Sequence, residues 1–86
     1  MQKRILVADD ESLIRDFISS FFESIPEYED CKIDMAVNGE DAIVKIKNKH
    51  YDLIFTDLKM PVKSGLDVLK YVAENSPDTD TVLLTA

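Results

Sequence analysis

The hydrophobic pattern of this chain switches period again and again, and that alternation restricts the fold more than any other feature. Ile5-Leu6-Val7-Ala8 is a continuous apolar run, as in a strand buried on both faces, and it stops at Asp9-Asp10. From Glu11 to Ile25 the period becomes helical, with Leu13, Ile14, Phe17, Ile18, Phe21, Phe22 and Ile25 spaced by threes and fours. Pro26 is expected to end that helix. Residues 31–37 partly alternate, as an edge strand does. Asn38-Gly39 is a turn signal, and Asn38 can cap a second helix with Asp41 as its box partner. Ala42, Ile43 and Ile46 form that helix's apolar stripe, which fades near His50. Leu53-Ile54-Phe55-Thr56 is a third strand ending at Asp57. After a loop, Ser64 caps a third helix with Asp67 as box partner, and Leu66, Leu69, Val72 and Ala73 are read as its inner face. Thr81-Val82-Leu83-Leu84 is a fourth strand. The order βαβαβαβ predicts an α/β domain with a parallel sheet covered on both faces, linked by right-handed crossovers.

The apolar residues of the first helix cover about half of its wheel, wider than the ~100° stripe one sheet face requires. A second helix or a partner is expected beside it.

A length of 86 residues allows one domain at most. The formal net charge of −7 argues against direct nucleic-acid binding, which needs a basic patch. The single cysteine, Cys31, can form neither an internal disulfide nor a zinc site, and reads as a half-buried strand residue. No apolar stretch suits a signal peptide or a membrane span, so the expected location is the cytoplasm.

Function in an open parallel sheet collects at the carboxyl ends of its strands. Asp9 and Asp10 follow the first strand, and Asp57 ends the third. Taken singly, each is an ordinary capping or turn residue. If those two strands are neighbours, the three carboxylates converge, and their repulsion calls for a cation. Oxygen-only ligands, few of them from protein, favour Mg²⁺. A carboxylate beside such a cation can act as nucleophile and form an acyl phosphate. Thr85, just past the fourth strand, can offer a hydroxyl to a phosphoryl oxygen.

These residues match a known pattern. Asp9-Asp10 after Ile5-Leu6-Val7-Ala8, the run from Leu53 through Asp57 to Met60-Pro61, Gly65, and Val82-Leu83-Leu84-Thr85-Ala86 resemble, in order and spacing, response-regulator receiver domains of two-component signalling. The resemblance implies a flavodoxin-like three-layer sandwich with strand order 2-1-3-4-5. It further implies that Asp57 is the phosphoacceptor, Asp10 a direct Mg²⁺ ligand, Asp9 a ligand through water, and the Lys59 carbonyl another ligand. Thr85 is then the switch hydroxyl and Ala86 the small residue beside it, while Met60-Pro61 and Gly65 shape the loop behind the acceptor. The implied partner is a sensor histidine kinase or phosphotransfer protein, whose phosphohistidine is the donor. The implied activity is that of a phosphoacceptor rather than an enzyme, beyond self-catalysed phosphorylation and dephosphorylation.

The chain departs from the family at its end. Residues 1–86 cover the N-terminal two-thirds of a receiver, stopping after the fourth strand. The lysine that pairs with the phosphoryl group in this family follows the fifth strand, and no residue here takes that role. The expectation is an exposed fourth strand and a partly bared first helix, hence self-association. A non-cycling receiver-like interaction module is therefore the alternative. A dehalogenase-type phosphatase is disfavoured, because its acid–base Asp would stand where Lys59 does. His50 reads as a cation at a helix end, Tyr28, Tyr51 and Tyr71 as packing or surface residues, and Lys45, Lys47 and Lys49 as a solvated face.

Overall fold

The computed structural model describes residues 2–84. The elements are β1 (Arg4–Ala8), α1 (Ser12–Glu23), a 3₁₀ turn (Pro26–Tyr28), β2 (Lys32–Ala36), α2 (Gly39–Asn48), β3 (Leu53–Asp57), α3 (Gly65–Asn75) and β4 (Asp80–Leu84). All strand pairs are parallel and the sheet order is β2-β1-β3-β4. The continuous apolar run of β1 is therefore central, and the alternating β2 lies at an edge. Thr85 and Ala86, the expected switch hydroxyl and its small neighbour, lie outside the described residues.

The strand period of two divides the core between the sheet faces. Leu6 and Ala8 point to one face, with Ala36, Ala42, Tyr51, Ile54, Val68 and Val72 beneath α2 and α3. Ile5 and Val7 point to the other, where Ile18 and Phe22 of α1 cover them. One helix closes the second face, and it does so incompletely. Leu13, Phe17 and Phe21 remain 79%, 71% and 54% exposed, as the width of the apolar arc on α1 predicts.

Helix starts follow local chemistry. Ser64 and Asp67 form a complete capping box on α3. On α2, Asn38 Oδ1 accepts from the Asp41 N–H at 2.7 Å. The Asp41 carboxylate reaches back to the Val37 N–H at 3.0 Å, one residue before the position that a strict box prescribes.

Two sequence expectations need correction, and a third is narrowed. Helix α1 stops at Glu23 rather than Ile25, and Pro26 opens the 3₁₀ turn, where a missing N–H costs nothing. The inner face of α3 is Gly65, Val68 and Val72, with Leu69 half-buried, whereas Leu66 and Ala73 are exposed. The expected stripe started one position off, because the close approach at Gly65 fixes the helix rotation. Tyr51 belongs to the core at 1% exposure, its hydroxyl donating to Asp34 at 2.7 Å. Among the described residues no helix is long and apolar enough to cross a membrane.

Candidate acidic site at the carboxyl edge of the sheet

Because β1 and β3 are adjacent, with Ala8 beside Thr56, the next residues of the two strands emerge together. Asp9, Asp10 and Asp57 each present a carboxylate oxygen, and these oxygens lie within 4.8 Å of one another. The condition set by the sequence is met.

The three are held differently. Asp9 is 4% exposed and fixed at several points. Its N–H donates to the Ala36 carbonyl at 3.1 Å, its Oδ1 accepts from the Glu11 N–H at 2.9 Å, and its carbonyl accepts from Arg15 Nη1 at 2.7 Å. Burial pushes the Asp9 carboxyl up from its ordinary value. The Glu11 N–H partly offsets this, and the charges of Asp57, Asp10 and Glu11 add to the rise. Asp10 is exposed, while Asp57 is half-buried at the end of β3. Buried Thr56 donates to the Asp57 carbonyl at 3.1 Å. No lysine or arginine forms an ion pair with any of the three among the described residues.

The wall beside them is the loop from Leu58 to Ser64. Leu58, Lys59, Met60, Pro61 and Ser64 line one cleft with Asp10, and Leu58 and Lys59 line a second with Asp10, Glu11 and Asp57. The Leu58 N–H donates to the Leu84 carbonyl at 3.0 Å, and the Leu58 carbonyl accepts from the Gly65 N–H at 2.9 Å, which closes the loop. A Cβ at Gly65 would collide with the Asp57 carbonyl, so only glycine permits that closure. This observation gives physical content to the loop-shaping role implied for Gly65.

Every described candidate from the sequence reading, Asp9, Asp10, Asp57 and Lys59, lies at this edge; Thr85 is outside the described residues. The sequence reading missed Glu11 and Arg15, which fix Asp9 through backbone atoms. A helix-start residue and a helix arginine carry no signal in residue type for bonds made to or by backbone atoms. The clustered donors are carboxylate oxygens alone, a set that suits a hard divalent cation such as Mg²⁺.

A family model described as the response regulator receiver domain matches residues 5–86. The chain is 39% identical over 85 residues to the transcriptional regulatory protein ResD of Bacillus subtilis, covering 99% of this chain and 33% of that protein. It is 35% identical over 86 residues to a protein-glutamate methylesterase/protein-glutamine glutaminase of Aliivibrio fischeri, covering 22% of it. The chain thus spans about a third or less of these curated relatives. Among solved structures, the response regulator TrrA of Thermotoga maritima in complex with Mg²⁺-BeF superposes with a TM-score of 0.85 at 40% identity, covering 99% of this chain and 70% of that one. A CheY-like receiver domain protein of Methanospirillum hungatei gives 0.87 at 26% identity, covering 99% and 65%. Strand order, acidic edge and sequence agree, and the chain belongs to the response regulator receiver domain family of two-component systems.

Proposed function

We propose that this chain is the phosphoacceptor unit of a response regulator and that Asp57 receives the phosphoryl group. The convergence of Asp9, Asp10 and Asp57 within 4.8 Å carries the reading, because such a cluster is stable mainly as a cation site. Asp10 and Asp57, with the Lys59 carbonyl, hold Mg²⁺ directly, and buried Asp9 holds it through water. The Mg²⁺-BeF bound to TrrA, 40% identical, supports Mg²⁺ as the cation. When bound, the cation neutralises charge on the transferring group. An Asp57 carboxylate oxygen attacks phosphorus in line, forming an O–P bond. The P–N bond to the donor imidazole breaks, and that nitrogen keeps the electron pair, leaving neutral imidazole once protonated. Thr85 supplies its hydroxyl to a phosphoryl oxygen. Donors are a sensor histidine kinase or a phosphotransfer protein in the cytoplasm, and small acyl phosphates substitute. Residues 1–86 act as one receiver unit corresponding to the N-terminal two-thirds of the domain, with no enzymatic turnover beyond self-phosphorylation and hydrolysis.

Intact mass after incubation with acetyl phosphate and Mg²⁺ tests the reading. One phosphoryl adduct on the parent chain, absent from Asp57→Asn and from a metal-free control, is expected. A folded parent chain that never gains the adduct refutes it.

One observation favours a second property of the same chain. Ile14, Phe17, Ile18, Phe21, Phe55 and Leu84 line a wholly apolar groove beside β4, which pairs only with β3 among the described residues. Copies of this chain then associate through β4 and α1. Sedimentation velocity is expected to show a concentration-dependent dimer. A single monomer boundary across the micromolar range removes this property and leaves the phosphoacceptor reading untouched.

A further inference from the structure

The loop that forms the wall of the acidic site is pinned by a residue distant in sequence, at the start of α2. Gly39 is buried there, and a Cβ built on it would collide with the Lys63 carbonyl and lie 2.8 Å from the Lys63 Cβ. Lys63 belongs to the loop closed by the Leu58–Gly65 hydrogen bond of 2.9 Å. Within that loop the Lys63 N–H donates to the Pro61 carbonyl at 2.8 Å, across Val62 at φ 71°. This is a γ-turn of the rarer positive-φ kind, strained for any side chain and most for a β-branched one. At the inner end, Met60 packs against the core cluster that contains Ala42 of α2. A short loop with closed ends, a stiff turn and an anchored methionine has few ways to absorb a displacement at Lys63. A push there is passed to Lys59.

We infer that Gly39 is a positioning residue for the acidic site: by having no side chain it lets the Lys63 carbonyl seat against α2, and that seat fixes the loop carrying Lys59. The geometry is independent of the phosphoacceptor reading, and only the consequence for Mg²⁺ rests on it. The strain at Val62 is what transmits the effect, because a pliable residue there would let Lys63 move alone.

The test is a double-mutant cycle on the whole chain, with Gly39→Ala, Val62→Gly and the pair, and Glu40→Ala as a control at the exposed neighbouring position. Amide resonances are followed without metal and through a Mg²⁺ titration. Alanine is the better helix former, so a role confined to α2 predicts no loss from Gly39→Ala. The inference predicts that Gly39→Ala moves the Lys59 and Gly65 amides without metal and weakens Mg²⁺ binding about tenfold, the scale of losing an outer-shell support. Val62→Gly alone weakens it by no more than about threefold, and the pair behaves like Val62→Gly alone. Unmoved loop amides in Gly39→Ala, or losses that simply add in the pair, overturn the inference. A Gly39→Ala chain that unfolds while the pair folds supports it; unfolding of both overturns it. A parent chain that binds no Mg²⁺ refutes the cation reading, and the metal-free amide pattern still decides the role of Gly39.

Discussion

Replacing Asp57 by Asn keeps the shape of the side chain and removes one charge from the acidic cluster. Asp9 and Asp57 have carboxylate oxygens within 4.8 Å. Two unit charges at that separation repel by about 3.5 kcal/mol at an effective dielectric of 20 and by about 0.9 kcal/mol in water. Asp57 is half-buried and Asp10 exposed, so solvent screens much of this and a relief of about 1–2 kcal/mol is expected. For a domain of this size, 1 kcal/mol moves the melting temperature by about 4–8 °C. The assay is thermal unfolding by circular dichroism in EDTA at about 10 mM ionic strength, where screening is weak. Asp57→Asn should melt higher than the parent there, and the gap should shrink in 0.5 M salt. Added Mg²⁺ should raise the parent by several degrees and the variant by much less. If Asp57→Asn melts at or below the parent in EDTA at low salt, or if Mg²⁺ stabilises both alike, the electrostatic account of the site is wrong.

Other predictions concern the frame around the site. Tyr51→Phe removes the 2.7 Å bond to Asp34, whose remaining partners Arg4 and Lys49 stand at 3.8 Å, and should cost about 1–3 kcal/mol in urea unfolding. Ser64→Ala breaks the capping box of α3 and should cost about 1 kcal/mol, read as a lower denaturation midpoint at unchanged slope. Acid should destabilise the helix starts. Burial raises the Asp41 carboxyl, but the Lys45 ammonium and the Val37 N–H outweigh it and hold it below its ordinary value; the Ser64 N–H and hydroxyl do the same for Asp67. Both groups thus stabilise the fold above the unfolded carboxylate value near pH 4, and that contribution is lost as pH falls through their lowered folded values. A pH series of melting temperatures should show the loss below about pH 4, and Asp41→Asn should blunt it.

The elements were legible because each period change coincides with a chemical stop. Asp9-Asp10 halts the apolar run of β1, and Asn38 and Ser64 start α2 and α3 with side-chain oxygens the backbone needs. The convergence of Asp9, Asp10 and Asp57 was legible only as a condition, because strand adjacency is a tertiary fact. Relations carried by backbone atoms stayed hidden. Arg15 is held by a main-chain carbonyl and Gly39 touches one, and neither leaves a pattern in residue type. The inner face of α3 was misread for a related reason, since the apolar character of Leu66 says nothing about the rotation that Gly65 imposes. The choice between packing and surface for Tyr51 stayed open because a tyrosine joins the core only when its hydroxyl finds a partner, and Asp34 on β2 is distant in sequence.

Arg15, whose guanidinium is bonded at the acidic edge, binds the Asp9 carbonyl and leaves every carboxylate oxygen free of it. No described lysine or arginine is paired with the three carboxylates, so their mutual repulsion is relieved by no direct ion pair. On the phosphoacceptor reading proposed above, a phosphorylated donor arriving first would meet repulsion, whereas a dication would meet attraction and offset two of the three carboxylate charges. If Asp57 is the acceptor, as proposed, leaving the guanidinium on a main-chain atom keeps the carboxylate oxygens open to a cation and favours cation before anion.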